Sequence, residues 1–202
     1  GAYRTIFKRT LDLLLVLLAL PVVLPLILMM ALSVAVLTGG QPFYTQLRVG
    51  RDGKPFRMWK LRTMVKDADA LLEGHLQADP KAREEWNTTQ KLKNDPRITY
   101  VGRLMRKTSM DELPQLFNVL NGTMSLVGPR PMMVHQKELY HGQAYFELRP
   151  GITGLWQVSD RNNCGFKDRV AYDDLYNDSL SLKTDMTILG RTVSVVMRAT
   201  GH

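Results

Sequence analysis

Leu13 to Leu37 reads LLLVLLALPVVLPLILMMALSVAVL, 25 residues without a charge. As a helix it extends roughly 37 Å, against a hydrocarbon core of about 30 Å. Length alone therefore allows a membrane span. Pro21 and Pro25 lie near its middle, where each removes a backbone donor and crowds the preceding turn. Both flanks are basic, with Arg4, Lys8 and Arg9 before the run and Arg48, Arg51, Lys54, Arg57, Lys60 and Arg62 after it. Such flanks favour the cytoplasmic side, and here both ends do. A helix broken at Pro25 that enters and leaves by one face satisfies length, prolines and charge together. A kinked span is the alternative. A signal peptide fits poorly, because its apolar region is much shorter.

One run of membrane length in 202 residues leaves a body of roughly 160 residues, enough for a core of its own. Twenty-seven basic against 19 acidic residues give a net charge of +8, which suits anionic partners. Nucleic acid is disfavoured, since the bases alternate with Pro, Gly and acids and form no stripe. The single Cys164 excludes an internal disulfide and fits a reducing cytoplasm.

Two aromatic-rich runs, Pro42–Arg48 and Phe56–Met64, flank a Gly/Asp/Pro loop and predict a β-hairpin at headgroup level. Lys60 and Arg62 alternate onto one strand face, able to meet lipid headgroups or a substrate phosphate. Val65–Lys93 predicts helix, with Pro80 opening a second segment after Asp79. Leu113, Leu116, Phe117 and Leu120 recur at helical spacing, with Gly122 at the C′ position. Ser109 and Glu112 fit a capping box at that helix's start, which is a structural use for an acidic pair. Two stiff segments follow. Pro129-Arg130-Pro131 holds one guanidinium between prolines, and Arg149–Val158 reads RPGITGLWQV.

These blocks together resemble the bacterial sugar transferases, the monotopic polyprenyl-phosphate phosphoglycosyl transferases. The likeness runs from about Phe7 to Arg198. It is carried by FKR with Asp12 before the broken apolar run, KLRTM at Lys60–Met64, RKTSMDELPQLFNVL at Arg106–Leu120, MSLVGPRP at Met124–Pro131, RPGITGLWQV, and a tail with Asp173, Tyr176, Ser181 and Asp185. The resemblance implies a re-entrant helix broken at Pro25. It implies Asp111 as nucleophile and Glu112 as catalytic partner and Mg²⁺ ligand. Arg106, Arg130 and Lys60 match its phosphate-contacting bases, and Arg161, Asp173 and Asp185 match further polar positions at the substrate site. Asp160 stands where glycine is frequent, and Leu180 where tryptophan is.

The expected molecule is thus α+β and mostly helical. Residues 1–40 form a proline-broken re-entrant membrane element, and residues 41–202 a cytoplasmic catalytic domain with a short hairpin and amphipathic helices on the membrane surface. The implied activity is transfer of a sugar-1-phosphate from a UDP-sugar, UDP-glucose or UDP-galactose, to undecaprenyl phosphate at the bacterial inner membrane. UMP leaves, and exopolysaccharide or another glycoconjugate is the destination. Phospholipid is an expected partner, and a homo-oligomer is compatible. A non-catalytic membrane-surface adaptor and a UDP-sugar phosphodiesterase are the competing readings. The former draws on the net charge and on an amphipathic helix near Ile188–Arg198.

Overall fold

The computed structural model describes residues 3–89, 92–159 and 166–197. Helix α1 (Lys8–Thr38) follows one π-helical turn and takes in the whole apolar run. Strands β1 (Phe43–Val49) and β2 (Pro55–Leu61) form the expected hairpin, in antiparallel register from Phe43 against Leu61 to Val49 against Pro55. Its turn carries Asp52 and Gly53 at φ 57° and 71°, a region these two residue types tolerate. Helices α2 (Ala68–Ala78) and α3 (Pro80–Thr89) divide where Pro80 places them, and Asp79 Oδ1 accepts from the Lys81 and Ala82 N–H groups. After these come α4 (Tyr100–Thr108), α5 (Gln115–Leu120), β3 (Ser125–Val127), β4 (Met132–Met133), α6 (Ala144–Glu147), β5 (Gly151–Thr153), α7 (Leu155–Val158), α8 (Arg169–Asp178) and α9 (Leu182–Met197). The mostly helical α+β class is as expected. Two pairings were not legible beforehand: β4 joins the hairpin in the order β2-β1-β4, and β3 runs parallel to β5.

One face of α1 is buried along its length, through Asp12, Val16, Ile27, Ala31 and Val34, with Leu20 and Val23 packed between. Steps of three and four residues keep these on one side of a helix. Val16 packs with Phe56, Met58, Leu116, Val119 and Met124, while Ala31 and Val34 pack with Leu61 and Met105. Both halves of α1 therefore lie against the same body. Its other face shows Leu14, Leu17, Leu18, Val22, Leu28, Met29, Leu32 and Val36, each more than half exposed. So continuous an apolar surface is not a water-facing one, and it associates the chain with a membrane.

The backbone stays helical across both prolines, where the sequence predicts a break at Pro25. Each proline forfeits one internal hydrogen bond, a local cost of about 3 kcal/mol that the packed stripe on either side can offset. Both prolines are exposed, opposite the buried stripe. A proline bend opens the side that carries the ring, so any bend here curves α1 around the body.

The charges before the apolar run are used within the protein. Lys8 Nζ donates to Asp185 Oδ2 at 2.6 Å and to the Tyr176 hydroxyl at 3.0 Å. The hydroxyls of Tyr176 and Tyr3 donate to the same carboxylate at 2.6 and 2.7 Å. Arg9 donates to the carbonyls of Val119 and Leu120, which closes the end of α5. Asp12 accepts from the Ser125 hydroxyl at 2.7 Å and the Leu126 N–H at 3.2 Å. These bonds pin the start of α1 to α5, β3, α8 and α9.

Candidate active site

The acidic pair does not open a long helix as its spacing predicts. Ser109 instead closes α4 in the left-handed region, at φ 58°, and its N–H bonds back to the Arg106 and Met105 carbonyls. Met110–Glu112 forms a single 3-10 turn, and α5 starts only after Pro114. The expected capping box is absent, because a left-handed Ser109 makes no side-chain cap bond. Gly122 does follow α5 with positive φ, at 84°, as expected.

Two contacts aim this turn. A Cβ on Gly102 would lie 2.1 Å from the Thr63 carbonyl oxygen, so only glycine lets α4 rest on that backbone. One turn later, Arg106 Nε donates to Thr63 Oγ1 at 2.9 Å. Buried Asn118 then stitches α5 to β2, accepting from the Trp59 N–H at 3.0 Å and donating to the Arg57 carbonyl at 2.8 Å. Lys60 is thereby held over the pair, its Nζ 3.2 Å from Glu112 Oε1 and 3.7 Å from Asp111 Oδ2. Asp111 is 7% exposed. Burial pushes its carboxyl above the ordinary range, the Lys60 charge pulls it back, Glu112 adds to the rise, and Arg106 opposes it.

The two stiff segments interlock backbone to backbone. The Gly128 N–H bonds to the Thr153 carbonyl at 2.9 Å and the Gly151 N–H to the Pro129 carbonyl at 2.8 Å. A Cβ at Gly128, Gly151 or Gly154 would sit within 2.3 Å of the opposing chain. That closeness sets Arg130 beside Trp156, its guanidinium carbon 5.8 Å from the indole centroid. Arg169 stacks there too, at 5.4 Å, and donates to the Arg130 carbonyl. Pairing of β4 with β1 brings Arg48 opposite Met133, close to the same loop.

The result is a polar cleft of about 150 Å³ lined by Arg48, Lys60, Arg130 and Arg169 against one wall carboxylate, Glu112. Arg48 and Arg169 each keep a buried Nε without a partner among the described residues. Burial, with Arg130 adding to it, lowers the proton affinity of both. The cleft is built to take a multiply charged anion. Beside it lies an apolar groove of about 210 Å³, and the two share Glu112, Arg130, Ile152 and Gln157 along their common wall.

Of the residues singled out in the sequence, Glu112, Lys60 and Arg130 come together on the cleft wall, while Asp111 lies 3.7 Å from Lys60 Nζ and itself lines neither cavity. Arg106 lines neither cavity, although its charge reaches Asp111. Asp173 is buried, accepts from the Tyr140 hydroxyl at 2.8 Å and adjoins Arg169. Its carboxyl is pushed up to about 6 by burial, against the hydrogen bond and that arginine. Asp185 faces Lys8 and two tyrosines, away from the cleft. Arg161 lies outside the described residues. Arg48, Arg169 and Gln157 were missed, because no local pattern distinguishes a cleft arginine from a surface one. Among the described residues no three His, Cys, Asp or Glu side chains converge as a metal cage. A hard ion such as Mg²⁺ needs only one or two carboxylates when substrate phosphate and water complete its shell. Asp111 and Glu112 meet that requirement, and Lys60 already marks a cation position between them.

A family model described as bacterial sugar transferase matches residues 3–199. The UDP-galactose-lipid carrier transferase of Erwinia amylovora is 47% identical over 200 residues, which is 96% of this chain and 41% of that protein. The exopolysaccharide production protein ExoY of Sinorhizobium fredii is 44% identical over 206 residues, covering 100% of this chain and 91% of that one. The undecaprenyl-phosphate galactose phosphotransferase of Salmonella typhimurium is 51% identical over 165 residues, covering 81% and 35%. The chain thus spans less than half of two of these relatives and nearly the whole of the other.

Proposed function

The chain belongs to the bacterial sugar transferase family, and from that premise we propose that it moves a sugar-1-phosphate from a UDP-sugar to undecaprenyl phosphate in exopolysaccharide or related glycan synthesis. The observation that carries this reading is the cleft itself, four cations and Glu112 on its wall, with the buried Asp111 carboxylate next in sequence and 3.7 Å from the Lys60 ammonium. An Asp111 carboxylate oxygen attacks the sugar-bearing phosphorus, and the bond from that phosphorus to UMP breaks. An oxygen of the lipid phosphate then attacks the same phosphorus, and Asp111 leaves as the carboxylate it began as. The products are UMP and undecaprenyl-diphosphate-sugar, with no net proton change. Two moderate displacements replace one difficult transfer. Arg48, Arg130, Arg169 and Lys60 hold the diphosphate and meet the charge that gathers on its oxygens. Glu112 would hold Mg²⁺, which supplies further neutralisation of the leaving phosphate when bound. Galactose is the first sugar to try, since two of the relatives carry it in their names.

The test uses purified protein and UDP-galactose without lipid. One equivalent of UMP and a phosphosugar mass increment on the chain are expected, discharged on adding undecaprenyl phosphate and abolished by chelating Mg²⁺. Sustained turnover without lipid would mean a phosphodiesterase, and no UMP with any UDP-sugar would mean an adaptor. Arg48→Ala is expected to lower kcat/KM for the donor by about 10²-fold, by loss of a charged hydrogen bond to phosphate. An unchanged donor KM and kcat would remove Arg48 from the site.

We further propose that α1 is re-entrant and that residues 41–202 lie on the cytoplasmic face of the inner membrane. The full-length buried stripe and the outward-facing prolines support this, because they keep both ends of α1 on the body. With Cys164 replaced by Ser, single cysteines placed at Thr10 and Gln41 should react with an impermeant thiol reagent from the same side of spheroplast-derived vesicles. Opposite-side labelling would make α1 a span.

A further inference from the structure

The apolar groove beside the cationic cleft has no role in holding a nucleotide sugar. Leu113, Leu116, Ile152, Val158, Val195 and Val196 give it an apolar lining interrupted by Thr108, Ser109, Thr153 and Thr192, a poor match for a charged diphosphate. Yet it shares Arg130 and Glu112 with the polar cleft, so whatever fills it brings its far end to those two side chains. Its rim joins the end of α4 to the end of α9. Val196, at the end of α9, is 42% exposed there, and Leu104, one turn before Thr108 on α4, is 52% exposed. The groove therefore runs from an exposed apolar strip to a guanidinium. A hydrocarbon chain ending in a phosphate satisfies both ends, and neither a sugar nor a free nucleotide does.

We propose that this groove seats the first isoprenoid units of the lipid acceptor and presents its phosphate to Arg130 beside Asp111 and Glu112. Gln157 sits on the shared wall with its Oε1 buried and without a partner among the described residues. That oxygen needs a hydrogen-bond donor, which a sugar hydroxyl supplies and the lipid phosphate does not, so it serves the sugar donor's side of the wall. The acceptor thus approaches between α4 and α9, and the donor occupies the opposite, cationic side of the pair. This rests on the transferase reading above.

Two experiments on the full chain in detergent micelles test it. A polyprenyl phosphate bearing a diazirine in its first isoprene unit is expected to label residues 108–116 and 192–196, in competition with undecaprenyl phosphate. Label confined to α1, or no specific label, overturns the proposal. Val196→Asp is expected to raise the acceptor KM by about 10- to 100-fold through a charge placed in an apolar wall. Val193→Asp, exposed on the same helix but outside the groove wall, should change it less than about threefold. Equal effects would make this face a general membrane contact and sink the groove. Adduct formation from UDP-sugar alone needs no lipid, so its absence in the unsubstituted protein defeats the transferase reading whatever the labelling shows.

Discussion

Asp111→Asn is expected to abolish the phosphosugar adduct and to lower turnover by at least about 10⁴-fold, the scale on which loss of a nucleophile is felt. The amide is nearly isosteric but offers no anionic oxygen to phosphorus. Stability should move the other way. Burial raises the Asp111 carboxyl above its unfolded value, so the folded chain holds that proton more tightly than the unfolded one. Its contribution to stability is complete below the unfolded pKa and is lost as pH rises through the raised folded value. At neutral pH the buried carboxylate is therefore a liability, and Asn removes it. Intact-mass analysis and thermal unfolding at pH 7.5 should show no adduct together with an unchanged or higher midpoint. Wild-type adduct formation should fall on acidification at a pH above the ordinary aspartate range. Glu112→Gln should slow adduct formation at Asp111 and raise the Mg²⁺ concentration it requires. An adduct on the Asp111→Asn chain would instead assign the nucleophile to Glu112, which is the carboxylate on the cleft wall.

Asp185→Ala is expected to be the most damaging change outside the cleft, at about 3–5 kcal/mol of a total near 5–15 kcal/mol. It leaves the Lys8 ammonium buried without its anion and strips an acceptor from two tyrosines. Pairing it with Lys8→Met should recover part of the loss, since an apolar pair avoids the stranded charge. Denaturant unfolding in micelles measures both. The start of α1 should become protease-sensitive in the single variant, while the folded fraction keeps its donor KM. A variant of normal stability with a raised donor KM would return Asp185 to the substrate site that the sequence pattern suggested.

Those two carboxylates show how far local pattern reaches. Asp111 and Asp185 both stand beside a methionine in helical surroundings, and although Glu112 sets the first apart as one of a pair, nothing within several positions says which carboxylate is bound up in structure. What separates them is partnership at long range. Asp111 meets Lys60 from a strand 51 positions earlier, and Asp185 meets Lys8 from 177 positions earlier. The same holds for the bases. Lys8 and Arg9 carry the charge bias of a membrane flank, yet they bind a carboxylate and the end of α5. Arg48 reads as another flank charge and lines the cleft. The Ser109–Glu112 box misleads for a related reason. Its spacing suits a helix start, but α4 docks on Thr63 through Gly102 and ends at Ser109, and Pro114 delays the next helix.

By itself the sequence determined those features whose physics is local. Twenty-five uncharged residues make an apolar helix, a Gly/Asp/Pro loop between aromatic runs makes a hairpin, Pro80 after Asp79 starts a helix, and prolines stiffen the chain around Arg130. Only the tertiary structure decided which charges meet. The β1–β4 and β3–β5 pairings, and glycine contacts within 2.3 Å of opposing backbone, gather Arg48, Arg130, Arg169 and Lys60 around Glu112, with Asp111 reached through Lys60. Periodicity dictates the face on which a side chain lies. What that face then touches depends on the packing of segments far apart along the chain, whose burial and opposing charges no short window contains.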